Sequence, residues 1–374
     1  MTSSAATLLE HFTNLEDPRV ERTKEHLLID IIGITICGVI CGADSWVEIE
    51  HYGNAKLAWL GQFLKLPNGI PSHDTFARVF ARLEPESLQQ CFLSWIRAIS
   101  ELSDGEIIAL DGKTLRQSYQ AGGSRGAIHM VSAWACQNRL VLGQVKVDDK
   151  SNEITAIPRL LEVLAIAGCI VTIDAMGCQK AIAKLITDRQ GDYVLALKAN
   201  QGKLYEDVVQ LFAAAQCANF QDMEHDFYQS ISGGHGRTEI RRHWTLGQVS
   251  NLADAQQWQG FQTVGMVQSQ RRVNGSATTE TRYYILSLPS QAQRFAEAVR
   301  SHWGIENCVH WVLDVAFNED ACRVRKDHAP QNLALVRHIA LNLLTHEKSS
   351  KGGVKAKRLK AGWDNDYLAK VLAQ

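Results

Sequence analysis

Two short apolar segments that each end in an aspartate place the tightest constraint on how this chain can fold. Residues 106–111 read Glu-Ile-Ile-Ala-Leu-Asp and residues 169–174 read Cys-Ile-Val-Thr-Ile-Asp, which is typical of strands buried on both faces of a sheet. Open α/β sheets hold their ligands at the carboxyl ends of parallel strands. If the two strands are parallel neighbours, the carboxylates of Asp111 and Asp174 converge. Otherwise each aspartate begins a turn or caps the following helix.

The segments between and after these aspartates predict a mixed sheet with helices on its faces. Residues 127–136 and 139–147 are rich in strand-forming residues and are separated by Gln137-Asn138, which predicts a hairpin with a two-residue turn. Periodicity then predicts helices over 154–167 and 179–189 and a strand over 193–198. Three strands followed by alternating helices and strands indicate an α/β fold that begins antiparallel and continues with crossover units.

The first hundred residues are predicted to be helical. The apolar run 27–43 contains Asp30 and three glycines, which favours a buried helix over a membrane span. A short helix after Pro71, with Ser72 or Asp74 as its N-cap, would carry Arg78 and Arg82. Such a helix could read DNA, and the alternative is a plain helical bundle.

Residues 200–287 interrupt the alternation of strands and helices that precedes them, and they are predicted to form a β-rich insertion. Polar groups recur at every second position from His235 to Arg241, and Asn274-Gly275 is the strongest hairpin signal in the chain. Helix is predicted to return after Pro289. Ser290 and Gln293 there have the spacing of a capping box, and the helix is expected to run through Trp311.

Composition excludes several classes of protein. Apolar residues make up 45% and charged residues 21% of the chain, as in globular proteins. The net charge is −1, so any nucleic-acid binding must use local patches. The nine cysteines form no paired CxxC motifs and are expected to be reduced thiols without a zinc site. The first residues lack the features of a signal peptide, so we expect a cytoplasmic protein without a membrane segment.

Glu306 is a third candidate for chemistry. At helical spacing it shares a face with four residues, Val299, His302, Val309 and Leu313, so its carboxylate stands on an otherwise apolar stripe. An inward carboxylate needs a partner. A metal ion held by Asp111 and Asp174 would supply one, and a buried salt bridge or a solvent-facing helix edge are the alternatives.

Three convergent carboxylates indicate Mg²⁺ or Mn²⁺, because hard cations prefer oxygen ligands. One or two such ions suit in-line displacement at phosphorus. Lys198 at a strand end could hold a phosphate. The stretch from Arg323 to Lys360 contains ten lysines and arginines against Asp327 and Glu347, which would supply a local basic patch. A merely solubilising tail is the alternative for residues 348–360.

Five strings, in order over nearly the whole chain, closely resemble the H-repeat-associated insertion-sequence transposases of bacteria. They are IALDGKTLR around Asp111, VTIDAMGCQ around Asp174, LALKANQ around Lys198, GHGRTEIRR from residue 234 to Arg242, and SHWGIENCVHWVLDVAFNED around Glu306. The segments 15–46 and 71–80 resemble the N-terminal region of the same family.

The resemblance implies an RNase H-like mixed five-stranded sheet with flanking helices, a β-rich insertion and a helical N-terminal domain. It implies a DDE triad of Asp111, Asp174 and Glu306 that binds Mg²⁺ or Mn²⁺. The implied parts are a helical DNA-binding region (1–100), the first part of the catalytic core (101–200), the insertion (201–287), the second part of the core (288–345) and a basic tail (346–374). The candidate DNA-binding residues are Lys113, Lys198, Asn200, Arg237, Arg241, Arg242, His302, Asn307, His310, Arg323 and Arg325.

One departure from related transposases concerns the signature Tyr-x2-Arg-x3-Glu-x6-Lys. Aligned on Glu306, it puts Val299, His302 and Leu313 at the other three positions. The phosphate-gripping Arg and Lys of those relatives are absent there, and His302, Asn307 and His310 are the expected substitutes.

The resulting hypothesis is a DNA transposase. It would bind the terminal inverted repeats of its element, cleave the double-stranded DNA at the ends and join the 3′-hydroxyl to target DNA, as a homodimer on DNA. A metal-dependent nuclease without strand transfer and an inactive DNA-binding relic are the rivals.

Overall fold

The computed structural model describes residues 3–100, 102–119, 126–148, 151–221, 223–234, 237–273 and 276–374. His235 and the predicted hairpin turn at Asn274-Gly275 lie outside the described residues. The helices are α1 (Ser3–Glu10), α2 (Leu28–Ile40), α3 (Trp46–Ala55), α4 (Leu57–Leu60), α5 (His73–Arg82), α6 (Pro85–Ile99), α7 (Glu153–Val163), α8 (Lys180–Asp188), α9 (Gly202–Cys217), α10 (Ala292–Ile305), α11 (Trp311–Phe317), α12 (Ala329–His346), α13 (Val354–Trp363) and α14 (Asn365–Leu372). The strands are β1 (Ile107–Leu115), β2 (Ile128–Ala135), β3 (Leu140–Lys146), β4 (Ile170–Ile173), β5 (Asp192–Leu197), β6 (His225–Gly234), β7 (Arg237–Leu246), β8 (Thr263–Val273) and β9 (Ser276–Leu286).

The nine strands of the described residues form one mixed sheet in the order β3-β2-β1-β4-β5-β9-β8-β7-β6. The pairs β1–β4 and β4–β5 are parallel, and the remaining pairs are antiparallel. The predicted α/β class with a mixed sheet is confirmed. The sheet has more strands than the five that were predicted. Strand β9 pairs with β5 from Val194↔Leu286 to Leu197↔Tyr283, and this pairing joins the strands of the insertion to the same sheet.

Strand β1 runs past the aspartate that was predicted to end it. Its parallel pairing with β4 stops at Leu110↔Ile173, but its antiparallel pairing with β2 continues through Asp111↔Ser132 to Leu115↔Ile128. Asp111 therefore lies inside a strand, at the point where the neighbour on one side has ended. Asp174 follows β4 directly, as predicted.

The apolar run near the N-terminus forms the buried helix α2. Its side chains Ile31, Ile34 and Ile40 are fully buried and belong to a core cluster that extends from Leu8 to Leu372. None of the helices described combines the length and hydrophobicity that crossing a membrane requires. The helix therefore stabilises a protein core, as the sequence predicted.

Helix α5 begins after Ser72, which was one of the two predicted N-caps, although the Ser72 side chain makes no capping hydrogen bond. Phe76 and Phe80 are fully buried. Asn332 of α12 donates hydrogen bonds to the carbonyls of Phe80 and Leu83 at 2.8 and 2.9 Å. Helix α5 is thus firmly packed on α12, and its arginines Arg78 and Arg82 face solvent.

The last thirty residues fold back onto the core, so the alternative of a merely solubilising tail is wrong. Helices α13 and α14 bury Tyr367, Leu368 and Val371. The Arg358 guanidinium is also buried and donates to the carbonyl oxygen of Val39, at the end of α2, from Nε and Nη2 at 3.0 and 2.8 Å. A cation at this position compensates the carbonyls that a helix C-terminus leaves without partners.

Three local predictions differ from the structure. The interruption between residues 200 and 287 contains the helix α9 as well as strands. The hairpin between β2 and β3 has a four-residue connection, since Ala135 pairs with Leu140. The predicted capping box does not form, because α10 begins after Gln291 and the Ser290 hydroxyl donates to Thr245 Oγ1 at 2.9 Å.

Candidate active site

The parallel register of β1 and β4 brings Asp111 and Asp174 to the same edge of the sheet. Leu110 lies opposite Ile173, so the two aspartates are the next residues in line on adjacent strands. Both line a cavity of about 610 Å³, and Glu306 lines it as well. The structure therefore brings the three predicted carboxylates to one site.

Backbone amides fix the orientation of both aspartates. Asp111 Oδ1 accepts a hydrogen bond from Gly112 N at 2.9 Å. Asp174 Oδ1 accepts from Met176 N at 3.0 Å and from Gly177 N at 3.3 Å, in the turn after β4. Within the residues that the structure describes, the second oxygen of each carboxylate accepts no hydrogen bond, which leaves it available as a metal ligand.

Glu306 lies where the helix widens into a π-helical turn between α10 and α11, over Glu306–His310. Such turns inside α-helices are frequent at functional sites because they redirect side chains. The Glu306 side chain is 57% exposed, whereas Val309 and Leu313 of the predicted stripe are buried. The carboxylate thus faces the open cavity rather than the closed interior of the protein.

His310 connects Glu306 to Asp111. Its Nδ1 lies 3.2 Å from Glu306 Oε2 and 3.6 Å from Asp111 Oδ2. One ligand atom from each of the three residues lies within 4.8 Å of the other two, close enough to hold a metal ion together. Asp174 is not part of that close group, although it lines the same cavity.

The electrostatics of the cavity favour a cation. Burial, reinforced by the charges of Glu153, Asp174 and Glu306, raises the pKa of Asp111 to about 7, against the opposing hydrogen bond from Gly112. Convergent carboxylates in a partly buried site are costly unless a cation lies between them. Oxygen donors at this density are the ligand set that divalent cations such as Mg²⁺ and Mn²⁺ take, so the residues present fit such an ion.

A fourth carboxylate near Asp111, that of Glu153, was not predicted. Glu153 is the first residue of α7, and its Oε1 lies 2.6 Å from His129 Nε2 on β2. A Cβ at position 112 would collide with both side chains, so Gly112 is what allows this pair to approach β1. The only sequence signal was a glycine directly after the first aspartate, which by itself points to no partner.

The predicted DNA-binding residues around the cavity have different environments. Lys198 is exposed on the cavity wall. His302 also lines the wall, with Nδ1 lying 3.0 Å from Thr172 Oγ1. Asn307 is exposed and donates to Trp303 O at 2.9 Å, and Asn200 donates to Ala175 O at 2.8 Å.

Lys113 is not available to a phosphate, contrary to the prediction. Its ammonium group is only 11% exposed and lies within 3.2 Å of carboxylate oxygens of Asp314, Glu319 and Asp320. Three anions around one cation already neutralise it. Lys113 therefore links β1 to the helix that follows Glu306.

Arg323 and Arg325, the two predicted DNA-binding arginines beyond the Glu306 helix, differ from each other in exposure and in contacts. Arg323 is exposed. Arg325 donates to the carbonyl and side-chain oxygens of Gln117 at 2.7 and 3.1 Å, and its guanidinium stacks 4.6 Å from the Tyr119 ring centroid. Arg325 is thus held within the protein, whereas the exposed Arg323 is accessible to a ligand.

The inserted strands carry a groove lined by arginines, about 700 Å³ in volume, which shares wall residues with the carboxylate cavity. We call it the arginine groove. Its arginines are Arg237, Arg241, Arg271, Arg282 and Arg300. Sequence reasoning found the first two and missed the other three, which come from β8, β9 and α10.

Pairing within the groove leaves some of its positive charge uncompensated. Glu239 forms ion pairs with both Arg237 and Arg241, at 2.8 and 2.6 Å. Within the described part of the chain, Arg271 and Arg300 have no carboxylate partner. Arg242 was predicted together with its neighbours, but side chains alternate along a strand, and Arg242 bonds to Gln229 and Gln268 instead of lining the groove.

Comparison with known proteins gives a consistent result. Residues 102–343 match the family described as "Transposase DDE domain", and residues 9–96 match the family described as "DDE_Tnp_1-associated". The chain is 44% identical over 371 residues to "H repeat-associated putative transposase YhhI" of Escherichia coli K12, covering 98% of this chain and 97% of that protein. It is 42% identical over 374 residues to "Putative transposase YncI" of Escherichia coli O157:H7, covering 99% and 95%.

Among solved structures, the cryo-EM structure of the piggyBac transposase synaptic complex with hairpin DNA aligns over 99% of this chain and 76% of that chain. The TM-score is 0.39 and the identity is 8%, which is too weak a similarity to support an argument. The family matches and the full-length relatives are sufficient without it. The chain belongs to the DDE transposase family, among the H-repeat-associated transposases.

Proposed function

We propose that this protein is the transposase of an insertion-sequence element. It binds the terminal inverted repeats, cleaves double-stranded DNA at the element ends and transfers the 3′-hydroxyl strand to target DNA. The observation that carries the proposal is the convergence of Asp111, Asp174 and Glu306 on one cavity. The strand order β3-β2-β1-β4-β5, with the parallel pairs at its centre, supports an RNase H-like core for this site.

Asp111, Asp174 and Glu306 are proposed to hold Mg²⁺ or Mn²⁺. When bound, such ions lower the pKa of an attacking water or 3′-hydroxyl and neutralise the leaving oxygen. The backbone amides of Gly112, Met176 and Gly177 keep the aspartates oriented before any ion or DNA arrives. Such preorganisation reduces the reorganisation needed during the reaction.

Lys198 and the arginine groove are proposed to guide DNA to the carboxylates. Lys198 shares the cavity wall with the three acidic residues and would place its charge beside a scissile phosphate. Among the described residues, Arg271 and Arg300 are the groove cations that form no ion pair, so they would bind backbone phosphates at the least cost. Neutralising phosphates and releasing their counterions supplies most sequence-independent affinity for DNA.

The remaining parts of the proposal concern organisation. Residues 1–100 would contribute to DNA recognition through the exposed Arg78 and Arg82 on α5. Residues 101–200 and 288–345 would form the catalytic core, and residues 201–287 would form the insertion. The C-terminal residues 346–374 would support the core. The protein would act in the bacterial cytoplasm as a homodimer, since the two ends of an element must be joined together.

The test is end cleavage by the variant Asp111→Asn, with a linear DNA that carries one element end and with Mg²⁺ or Mn²⁺. We expect cleavage to fall by at least a thousandfold, because one metal ligand is lost, while binding of the end DNA stays within about threefold. The exposed Asp366→Asn variant on α14 is the matched control and should cleave like the wild type. Undiminished cleavage by Asp111→Asn would refute the proposed site.

Joined products, assayed beside cut products, distinguish the proposal from its rivals. A nuclease without strand transfer would give cut ends only. An inactive relic would give neither product. Inverted repeats in the DNA that flanks the gene would further support a functional transposase, and their absence would favour a rival.

A further inference from the structure

His310 is placed as a member of the carboxylate cluster rather than as a residue beside it. Its side chain is 5% exposed, and Nδ1 faces the oxygens of Glu306 and Asp111. Its other nitrogen, Nε2, is buried and has no hydrogen-bond partner among the described residues. The two carboxylates are the groups nearest to Nδ1, and the charges of Lys113 and Glu319 also act on the ring.

The spacing of the three ligand atoms suits one octahedral ion. Metal–ligand bonds of about 2.1 Å at right angles place neighbouring ligand atoms about 3 Å apart. Nδ1 lies 3.2 Å from Glu306 Oε2 and 3.6 Å from Asp111 Oδ2. The oxygens of Asp111 and Glu306 lie within 4.8 Å of each other, so all three atoms are near enough to share one ion after side-chain adjustment.

The ligand set is not the all-oxygen set that Mg²⁺ prefers. Mg²⁺ is bound through carboxylates, phosphates and water, and it takes oxygen in preference to nitrogen. First-row transition-metal ions accept imidazole nitrogen more readily than Mg²⁺ does, and Mn²⁺ is the weakest binder of that series. A site with two carboxylates and one imidazole thus shifts the balance toward an ion such as Mn²⁺.

We propose that His310 Nδ1 is a direct ligand of a divalent ion held by Asp111 and Glu306, and that this nitrogen makes the site prefer Mn²⁺ to Mg²⁺. This inference rests on the proposed function, since it concerns the same metal site. It adds a specificity-determining residue to the triad. The competing role is a hydrogen bond from His310 to Glu306 that only positions the carboxylate.

The test uses Mn²⁺ bound to the full-length protein without an affinity tag. Electron spin echo envelope modulation detects a ¹⁴N nucleus bonded directly to Mn²⁺. We expect this coupling in the wild type, and we expect labelling with ¹⁵N-histidine to change it. Labelling needs no substitution, so the result does not depend on whether a variant at this buried position folds.

Two variants show whether the nitrogen coupled to Mn²⁺ belongs to His310. His310→Gln should abolish the coupling and reduce the ratio of Mn²⁺ to Mg²⁺ affinity, measured by calorimetry, by about tenfold or more. His302→Gln is the matched control, because His302 lies on the same helix and lines the same cavity. It should retain the coupling.

Bound Mn²⁺ without nitrogen coupling in the wild type would overturn the inference, and so would coupling that persists in His310→Gln. Either result would leave the proposed function intact if Asp111→Asn still loses end cleavage. Conversely, cleavage by Asp111→Asn would refute the proposed function whatever the spectrum shows. The two failures are therefore distinguishable.

Discussion

Lys113 Nζ lies 2.6 Å from Asp314 Oδ1, and this contact ties the strand of the first aspartate to the helix that follows Glu306. Glu319 and Asp320 complete the ring of carboxylates around the same ammonium. Since β1 carries Asp111 two residues earlier, the cluster fixes the register between the two elements that supply the site. Its role is to position the carboxylates, and it does not contact the cavity itself.

Replacement of Lys113 by Met should destabilise the protein strongly. The change removes the cation that all three carboxylates share, although Asp320 keeps Arg116 and Glu319 keeps Arg337 as partners. Breaking a buried ion pair typically costs about 3–5 kcal/mol. Urea unfolding of the metal-free protein measures this loss. Arg116→Met is the control, because Arg116 also pairs with Asp320 but is 77% exposed and should cost less than about 1 kcal/mol. Equal losses of unfolding free energy in the two variants would contradict the view that the buried Lys113 cluster holds β1 against the helix after Glu306.

Asp111 should make the stability of the metal-free protein depend on pH. Burial raises its pKa from the ordinary value of 3.8 to about 7, so between these values the folded protein binds a proton that the unfolded chain releases. Stability contributed by this group is therefore present at low pH and is lost as pH rises toward 7. An asparagine at this position resembles the protonated acid at every pH.

We therefore expect Asp111→Asn and the wild type to have similar unfolding free energies near pH 4, whereas the variant should be more stable at pH 8. The difference should be on the order of 2–4 kcal/mol. Urea unfolding in the presence of a chelator measures it, with Asp366→Asn as a control that should give no pH-dependent difference. A constant difference between pH 4 and pH 8 would show that Asp111 is not buried as described.

Removing a free cation of the arginine groove should weaken DNA binding in a salt-dependent way. For Arg300→Ala, we expect the slope of log affinity against log salt concentration to decrease by about 0.9, the value for one lost phosphate contact. Fluorescence anisotropy over a range of salt concentrations measures the slope. Arg242→Ala is the control, because Arg242 lies on β7 next to the groove residue Arg241 but does not itself line the groove. A slope that changes equally in both variants would argue against this DNA path.

The central elements of the fold could be predicted because their signals are local. The apolar run before Asp174, the strand 193–198 and the helix 179–189 each have a clear periodicity, and their order requires a crossover connection. These elements place Asp174 at a sheet edge. Because Leu110 lies opposite Ile173 in the parallel pair β1–β4, the next residue, Asp111, becomes the neighbour of Asp174.

The remaining features of the fold and of the site depend on contacts between residues far apart in the sequence, which no local pattern contains. Strand β1 continues past Asp111 because β2 pairs with it. Helical spacing puts His310 beside Glu306, but its approach to Asp111 joins the helix to β1 and could not be predicted from spacing. Two partners of Arg358, Val39 and Asp44, lie more than 300 residues away in sequence.

Arg358→Met should show that the C-terminal helices are part of the fold. The guanidinium bonds to Val39 O and to Asp44 Oδ1 at 3.0 Å, and it stacks 4.3 Å from the Phe317 ring centroid. The variant leaves the carbonyls of α2 and the carboxylate of Asp44 without their buried partner, so we expect a loss of about 3–5 kcal/mol in unfolding free energy. Lys355→Met, at an exposed position of the same helix, should change it by less than about 0.5 kcal/mol. Similar small losses in both variants would mean that residues 346–374 serve only as a surface appendage.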